Sequence, residues 1–552
     1  MGREPPISAT DTNAGYAPRV VQVGRAYCAI DYAMSNCTAV QVEGGYVLID
    51  TGPGVTAGAA IRAALEEHVR GELLGVIYTH AHADHILGTT AFWRPGVPIW
   101  AQERFHDEIR EQRKLAQTLF NRGARQFGYR LPLHQSTTTG IGPPLRIDDG
   151  AVPPLLLPTH TFRDAVDLEI GGVKFELRAA PGETHDHLFV WLPEERTLVA
   201  GDNVYKAFPN LAAIRGNSPR PVEGWVRSLD QMRYLNPAPE NLILGHTDPV
   251  CGVHAIRDLL TAYRDAIAFV HNSVVRMTNL GFSADQMVCA IQLPEHLRTH
   301  PYLAEVYGTV AGSVRGIHAG YLGWFDGNAT NLDPLPPPEL AARLLPRLGG
   351  RAAVLALMRS TLDDDPRWVA WLADLLLAAD PRDTEARQFK SSALTALAHT
   401  TGNPLHRHWY LHDAAVLRGV LPAMETMIID ERSLEPVPVG DILAQFPFRV
   451  HPERAANVTM TVSYDFTDSG RQYTLFLRRG VGEVVPFLAS APDLVIRTTE
   501  ADFKRAFVSR TLSPFRREFW RKITFEVPGS GILTPLHAAR VLLQLNRCVV
   551  RL

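Results

Sequence analysis

The chain has 552 residues, of which 46% are hydrophobic and 20% charged, and its formal net charge is -3. This length exceeds what a single hydrophobic core supports, so it predicts a globular protein of about two to four domains. The near-neutral charge without a basic block argues against nucleic acid or an anionic membrane surface as the main partner. No apolar run reaches the ~18 residues of a membrane span, so we predict none.

The N-terminal sequence MGREPPISATDTNAGYAPRV lacks the apolar segment that a signal peptide requires. The five cysteines are scattered along the chain and form no C-x-x-C pair, which favours reduced thiols over a disulfide framework. Both observations predict a cytoplasmic protein.

The first half of the chain alternates between strand and helix patterns. Short apolar segments over 18–50 predict antiparallel strands, 57–69 has the spacing of a helix, and 73–80 (LLGVIYTH) reads as a buried strand. A long polar helix is predicted over 103–126. Strand patterns resume over 166–179, 187–193, 197–203 and 241–246. This order predicts two sheets packed face to face with helices outside.

The second half changes character twice. Residues 255–417 have mostly helical spacing, with a Pro-rich boundary over 332–340 and one tetratricopeptide-like helical hairpin over 365–398. Near residue 418 the composition shifts to alternating strand patterns, which predict a separate α+β domain.

The stretch YTHAHADH (78–85) directly follows the buried strand over 73–80. His80 and His82 are two residues apart on a loop, so their imidazoles can converge on one ion. Asp84 and His85 follow at once and can point towards a second ion nearby. Imidazole and carboxylate suit zinc, manganese or iron, and two ions ~3.5–4 Å apart can share a hydroxide. The cluster therefore predicts a dinuclear metal site at a strand end.

The segment THAHADH resembles the signature of the metallo-β-lactamase superfamily. LIDTG (48–52) is similar to the strand whose Asp50 supports a metal-binding histidine, LVAGDN (198–203) to the strand with the bridging carboxylate Asp202, and LILGH (242–246) to the last ligand strand, with His246. The resemblance implies an αβ/βα sandwich fold with two Zn²⁺ per chain at one edge of the two sheets.

The superfamily usually carries a histidine after the dipeptide PG, whereas this chain has APGETHDH (180–187). Glu183 at that place resembles the alkylsulfatase branch, the sodium dodecyl sulfate hydrolase-like enzymes. His185, two residues on, is the alternative ligand. An added carboxylate lowers the net charge of the site and softens its Lewis acidity.

Further segments are similar to alkylsulfatases. FPNLAAIRG (208–216) resembles the family segment whose Asn and Arg hold the sulfate, here Asn210 and Arg215. A planar guanidinium offers two parallel donors, which suits an oxyanion. VYGTV (306–310) and YLGWFDGN (321–328) resemble the family's central region, whose helices form a dimerisation domain. The tail resembles its sterol-carrier-protein-like domain.

Two positions depart from the family pattern. Gly312, in GTVAGSV (308–314), stands where the family tends to have a histidine proposed to assist the leaving group. We interpret His318, six residues on, as a packed or solvated histidine, with a substitute acid as the alternative. Phe127 stands where the family has a tyrosine, and Tyr129 is the candidate to supply that hydroxyl.

The resemblance implies a homodimeric zinc hydrolase that cleaves alkyl sulfates to alcohol and sulfate with a metal-bound hydroxide. Its substrate would combine an alkyl chain with an anionic head. We expect a catalytic domain over 1–280, a helical dimerisation domain over 281–420 and a sterol-carrier-like α+β domain over 421–552. The expected metal ligands are His80, His82, Asp84, His85, Glu183, Asp202 and His246, and the expected catalytic residues are Asp84, Asn210, Arg215 and Tyr129.

Two other interpretations stay open at this point. The same fold can hydrolyse another ester, a lactone, an amide or a phosphodiester, and the departure at Gly312 is compatible with such a change. A carrier of lipids or alkyl chains with a vestigial metal site is the alternative from another class. The sequence speaks against it, since no expected ligand position is lost.

Overall fold

The computed structural model describes residues 15–146, 152–508, 523–527 and 534–549. Residues 1–14, on which the prediction of no signal peptide largely rests, lie outside this described part. Counting described residues only, the chain divides into two compact units. The first comprises Met1–Ile109, Thr118–Ile147 and Pro158–Glu425, and the second comprises Arg110–Gln117, Asp148–Leu157 and Thr426–Leu552.

The first sheet of the first unit has seven strands in chain order. They are β1 (Arg19–Val23), β2 (Ala26–Ile30), β3 (Cys37–Val42), β4 (Gly45–Ile49), β5 (Glu72–Ile77), β6 (Ile99–Gln102) and β7 (His160–Phe162). The pairs from β1 to β4 are antiparallel, and the pairs from β4 to β7 are parallel.

The second sheet has six strands. They are β8 (Ala165–Ile170), β9 (Val173–Ala179), β10 (Leu188–Leu192), β11 (Thr197–Val199), β12 (Asn241–Ile243) and β13 (Val250–Cys251), in the spatial order β13-β12-β11-β10-β9-β8. Alternate residues of β9 and β10 such as Phe175 and Val190 pack against Val40 and Val47 of the first sheet in one buried cluster. This shared core holds the two sheets face to face.

α-Helices also lie along this half of the chain. They are α1 (Val55–Glu66), α2 (Ala83–Ile86), α3 (Phe105–Lys114), α4 (Ala116–Phe127), α5 (Val222–Arg233) and α6 (Val253–Asn279). Trp191 of β10 points to the opposite side from Val190 and packs in a second cluster with Trp225 of α5 and Tyr263 of α6. The predicted αβ/βα sandwich is therefore confirmed.

The long polar helix predicted over 103–126 is instead two helices, α3 and α4, which are separated at Leu115. The sequence around this break, RKLAQ (113–117), contains neither Gly nor Pro. Helical propensity and spacing alone therefore do not mark it.

The region that follows is helical, as predicted. Its helices are α7 (Ala284–Ala290), α8 (Glu295–Arg298), α9 (Val310–Leu322), α10 (Pro337–Leu344), α11 (Gly350–Thr361), α12 (Pro366–Ala379), α13 (Thr384–Thr400) and α14 (Pro404–Leu417). The predicted hairpin corresponds to α12 and α13, where Leu372 and Leu376 pack with Ala386 and Ala393. Within the described part of the chain, no helix is both long and apolar enough to span a membrane.

The second unit contains the predicted C-terminal sheet. Its elements are α15 (Glu431–Leu434), α16 (Val439–Leu443), α17 (Phe446–Arg449), α18 (Pro452–Ala455), β14 (Thr459–Phe466), β15 (Gln472–Arg478), β16 (Val481–Val485), β17 (Leu494–Thr498), α19 (Glu500–Val508), β18 (Thr524–Glu526) and α20 (Thr534–Cys548). The strand order is β16-β15-β14-β17-β18. Val462, Phe466, Leu477 and Ile496 share one core with Leu542 of α20.

The loop after α2 packs directly on the loop after β4. The Thr51 hydroxyl donates to the His85 carbonyl (2.9 Å), and the Gly88 amide donates to the Gly52 carbonyl (2.9 Å). A Cβ atom on Gly88 would lie 1.9 Å from the Thr51 carbonyl oxygen. Glycine at 88 is thus required by the approach of the two backbones, which brings Asp50 to the histidine loop.

Gly88→Ala should lower the melting temperature of the first unit. The added methyl group forces the two loops apart, and overpacking of this kind costs about 1–3 kcal/mol. Gly402→Ala is the matched control, because a Cβ there meets nothing within 4 Å. Thermal unfolding followed by circular dichroism compares the variants. Equal melting temperatures would contradict the proposed constraint.

Candidate metal centre

The predicted metal ligands all follow strand ends at one edge of the sandwich. His80 and His82 come after β5, Asp202 lies in a short 3₁₀ helix (Gly201–Asn203) after β11, and His246 comes after β12. Glu183 follows β9. The C-terminal ends of parallel strands meet at the same edge of a sheet, so residues far apart in sequence converge there.

Seven side chains form three overlapping groups in which one ligand atom from each residue lies within 4.8 Å of the others. The groups are His80, His85 and Asp202; Asp84, His85 and His246; and His82, Glu183 and Asp202. These are the seven residues that the sequence predicts as ligands. The structure therefore brings the whole predicted set together.

His80 and His82 present different ring nitrogens to the centre. His80 Nε2 lies 2.8 Å from His82 Nδ1, and His80 Nδ1 faces the Thr79 hydroxyl at 3.0 Å. Burial lowers the pKa of both imidazoles well below the usual range. They are thus neutral at pH 7, which is the protonation state that binds metal ions.

Asp50 fixes the loop behind the ligands. It has a positive φ of 59°, and its carboxylate accepts hydrogen bonds from the Thr79 amide (2.8 Å), the Thr79 hydroxyl (2.8 Å) and His85 Nδ1 (2.7 Å). The hydrogen bond from His85 Nδ1 to Asp50 places the ring proton on Nδ1 and leaves Nε2 facing the centre.

Two of the atoms that face the centre have no hydrogen-bond partner. His85 Nε2 and Asp202 Oδ1 are both buried without one, and they lie 3.3 Å apart. Burial disfavours a charged His85, but the carboxylates of Asp202, Asp84 and Asp50 raise the pKa of His85 well above its usual range. The space between these two atoms therefore attracts a positive charge, which a proton or a metal ion can supply. The residues present therefore fit divalent metal ions.

The last two ligands are held by backbone contacts. His246 Nδ1 donates to the Met34 carbonyl (2.6 Å), and His246 Nε2 lies 3.1 Å from Asp202 Oδ2. Gly201 has a φ of 54°, and a Cβ on Gly245 would lie 2.1 Å from Asp202 Oδ1. Glycines beside both ligands allow this close approach.

Glu183 has two different environments at its two oxygens. Its Oε1 lies 3.9 Å from His82 Nδ1, whereas its Oε2 forms an ion pair with Arg220 and lies 3.5 Å from the Tyr205 hydroxyl. Burial raises the pKa of Glu183 to about 7, although Arg220 opposes this shift. The alternative ligand His185 instead lies against Glu108, with its Nδ1 3.0 Å from Oε1, and belongs to none of the three groups.

Arg220 and His187 are neighbours of the centre that the sequence analysis missed. Arg220 is buried, and nothing in the pattern around it distinguishes it from a surface arginine. His187 is fully buried, and its Nε2 accepts a hydrogen bond from the Asp202 amide (3.0 Å). Burial lowers the pKa of His187 to about 3, so the ring is a neutral acceptor. The sequence signal that could have identified His187 is its position at the end of ETHDH (183–187), four residues after Glu183.

The predicted substrate residues lie on the side of the centre where His82 and Glu183 lie. Arg215 Nη2 is 3.2 Å from His82 Nε2. The backbone N–H of Asn210 donates to the Tyr205 hydroxyl (2.7 Å), which in turn faces Glu183. Arg215 therefore contacts a ligand residue directly, and Asn210 connects to one through Tyr205.

Tyr129 is differently engaged. Its hydroxyl donates to the Phe120 carbonyl (2.5 Å), and its ring packs against the buried cluster that contains Phe127 and Tyr307. Among the described residues it has no hydrogen bond to a predicted ligand. His318 is buried on α9, and the Gly312 amide donates to the Thr309 hydroxyl (3.0 Å) at the first turn of that helix.

Fold and site define a class of metal-dependent hydrolase, and the comparisons agree with this. The model of the metallo-beta-lactamase superfamily matches residues 30–246, and the model of alkyl sulfatase dimerisation matches residues 283–419. The stereoselective inverting sec-alkylsulfatase Pisa1 from Pseudomonas sp. shares the fold, with a TM-score of 0.89 at 24% identity over 97% of this chain and 85% of that one.

Two relatives carry the assignment further. A linear primary-alkylsulfatase from Pseudomonas sp. is 33% identical over 466 residues, covering 81% of this chain and 87% of the relative. An (R)-specific secondary-alkylsulfatase from Pseudomonas sp. is 30% identical over 491 residues, covering 84% and 72%. The chain belongs to the alkylsulfatase family of the metallo-β-lactamase superfamily. It is an enzyme, a hydrolase, as the sequence predicts.

Asp50→Asn should weaken the binding of divalent metal roughly 10- to 100-fold, as the loss of such supporting contacts commonly does. Asparagine tolerates the positive φ, but its amide has one acceptor oxygen for three donors. Asp31→Asn is the matched control, because Asp31 also has a positive φ, of 66°, and pairs with Arg19. Competition with a chelator measures the affinity. Equal affinities of the two variants would contradict this role.

Proposed function

We propose that the chain is a dinuclear zinc hydrolase that cleaves alkyl sulfate esters to alcohol and sulfate. The observation that carries this proposal is the contact between Arg215 and His82. It sets a guanidinium, a natural partner of oxyanions, beside a complete set of imidazole and carboxylate ligands. The named relatives act on primary and secondary alkyl sulfates, which supports the same substrate class here.

One ion would be held by His80, His82 and Glu183. The 2.8 Å separation of His80 Nε2 and His82 Nδ1 supports this set, and imidazole with carboxylate is a donor set that zinc prefers. Arg220 occupies Glu183 Oε2, so the other oxygen remains for the ion.

The other ion would be held by Asp84, His85 and His246, with Asp202 between the two. Asp202 Oδ1 faces His85 at 3.3 Å, and its Oδ2 lies 3.7 Å from His80 Nε2. Oxygens directed to ligands of different ions are what a bridging carboxylate needs. When bound, the ions would supply the Lewis acidity that turns water into a nucleophile at neutral pH.

The residues of the chain would bind and orient the substrate. Of the seven ligand side chains, His82 and Asp84 are the most exposed, at 12% and 15%, so the centre opens on their side. Arg215 would present its two nitrogens to the sulfate there, and Asn210 would add a further polar contact. Asp84 would thus meet the substrate as well as a metal ion. Tyr129 stays our candidate for the catalytic hydroxyl that the family has where this chain has Phe127, and in this structure its hydroxyl donates to the Phe120 carbonyl.

The proposal extends to the assembly. The match to alkyl sulfatase dimerisation over 283–419 supports a homodimer. We also propose domain boundaries at residues 280 and 420, with a sterol-carrier-like domain after residue 420. We propose a cytoplasmic location for the protein.

Purified protein should carry about two zinc ions per chain. Glu183→Gln keeps the shape but removes a negative ligand, so the ion on its side should bind roughly 10- to 100-fold more weakly. His185→Ala is the control and should retain both ions, because His185 pairs with Glu108. Metal analysis with chelator titration distinguishes them. If His185→Ala empties the site and Glu183→Gln does not, the ligand assignment is wrong. Less than one ion per chain in the unmodified protein would favour the carrier alternative.

Metal-replete protein should release sulfate from primary or secondary alkyl sulfates, and Arg215→Ala should lower kcat/KM for them roughly 10- to 150-fold. This range corresponds to about 1.5–3 kcal/mol for a charge-assisted contact. Arg215→Lys should recover only part, since lysine lacks the planar fork. Turnover of an uncharged ester should hardly change. Equal losses on both substrates would make Arg215 structural, and turnover of a phosphodiester or lactone without sulfate release would favour the same-fold alternative.

A further inference from the structure

The segment that carries Arg215 is held from outside by α4. Arg122 Nε donates to the Arg215 carbonyl and Arg122 Nη2 to the Ile214 carbonyl, each at 2.6 Å. One guanidinium thus binds two successive carbonyls of this segment. The contact is made to the backbone, so it fixes where the Arg215 side chain starts and leaves its guanidinium free.

A second residue of α4 holds the same peptide from the other side. The Arg215 amide donates to Gln126 Oε1 (2.9 Å), and Gln126 is fully buried. Both the amide and the carbonyl of Arg215 are therefore bonded to side chains one helical turn apart on α4. The two Arg122 bonds lie at the exposed surface and the Gln126 bond is partly buried, and together they hold both polar backbone groups of Arg215.

The segment has two bonds of its own, from the Gly216 amide to the Ala213 carbonyl and from the Ala213 amide to Asn217 Oδ1, each at 2.9 Å, but neither is made by Arg215 itself. Gly216 follows Arg215 directly and has a φ of 100°. The Arg215 guanidinium itself makes two contacts among the described residues, with the Gly216 carbonyl (3.3 Å) and with His82 Nε2 (3.2 Å). A long side chain beside a glycine reaches a defined point only if its backbone is anchored.

The helix α4 is in turn supported by α14. The Arg122 guanidinium lies over the Trp409 ring, 5.2 Å from its centroid, and His408 Nδ1 donates to the Gln126 carbonyl (3.1 Å). Burial lowers the pKa of His408 to about 4, so the ring is neutral and Nδ1 carries its proton for this bond. Both anchoring residues of α4 thus have a partner on α14.

We propose that Arg122 and Gln126 are positioning residues that set the place of Arg215 for an oxyanion, with Trp409 and His408 holding α4 behind them. This inference rests on the proposed function for the identity of the anion. It adds that substrate affinity depends on a helix whose described side chains form no hydrogen bond with the seven predicted metal ligands. Displacement of a binding group by about 1 Å costs as much as 10²-fold in rate.

The test compares Arg122→Met with Arg125→Met in the zinc-loaded full-length protein. Arg125 lies on the same helix and donates to Asp413 of α14 (2.8 Å) and to the Ala423 carbonyl (2.9 Å), so Arg125→Met removes a contact of α4 with α14 but leaves the Arg122 and Gln126 bonds to the Arg215 segment in place. Inorganic sulfate is the probe, and its dissociation constant is measured by calorimetry. Arg122→Met should raise it roughly 10-fold, with a matching rise of KM for an alkyl sulfate. Arg125→Met should leave both within about twofold.

A double-mutant cycle separates positioning from general damage. If Arg122 acts through Arg215, Arg122→Met should add nothing to Arg215→Ala, because the group it positions is gone. Additive losses, or equal losses in Arg122→Met and Arg125→Met, would overturn the proposal. Arg122→Lys, which keeps one donor site, should restore part of the affinity.

Hydrogen exchange gives a readout that does not depend on the substrate. Peptides covering 213–217 should exchange faster in Arg122→Met than in the unmodified protein, and no faster in Arg125→Met. Unchanged exchange would overturn the positioning role even if Arg215→Ala weakens sulfate binding. If exchange is faster in Arg122→Met but Arg215→Ala does not weaken sulfate binding, the positioning role of Arg122 is supported. In that case the proposed identity of the anion is refuted.

Discussion

The metal centre depends on one buried carboxylate that binds no metal itself. Asp50 accepts hydrogen bonds from the amide and hydroxyl of Thr79 and from His85, so it joins the end of β4 to the loop after β5. The strained backbone at Asp50 is maintained because these three bonds and the packing at Gly88 determine it from several sides. If Asp50 moves, the tautomer of His85 and the distance of His80 from the other ligands change together.

The charges of the metal ligands must be balanced by the residues around them. Asp84, Glu183 and Asp202 concentrate negative charge where burial disfavours it, and Arg220 is the cation in direct contact with this set among the described residues. Two divalent ions would leave the centre with a net positive charge. Such a centre attracts an anionic sulfate ester, and Arg215 adds to the attraction at the open side.

Much of this arrangement could be predicted because strong local patterns mark it. The dense cluster after a buried strand identifies His80, His82, Asp84 and His85, whereas Glu183, Asp202 and His246 came from resemblance to family motifs. The break of the polar helix at Leu115 could not be predicted, because no Gly or Pro marks it. Arg220 could not be predicted either, since its place depends on an ion pair with Glu183, 37 residues away in sequence. The same holds for the two α4 residues at the Arg215 segment.

The contact of α14 with α4 has a consequence for dissecting the enzyme. A fragment ending near residue 280 would contain every metal ligand and both sheets, yet it would lack Trp409 and His408. Removing α14 would expose the apolar face of α4 and the indole-covered side of Arg122 to water. If α4 positions Arg215 as we propose, such a fragment would keep both sheets and the ligand set but lose the residues that hold α4.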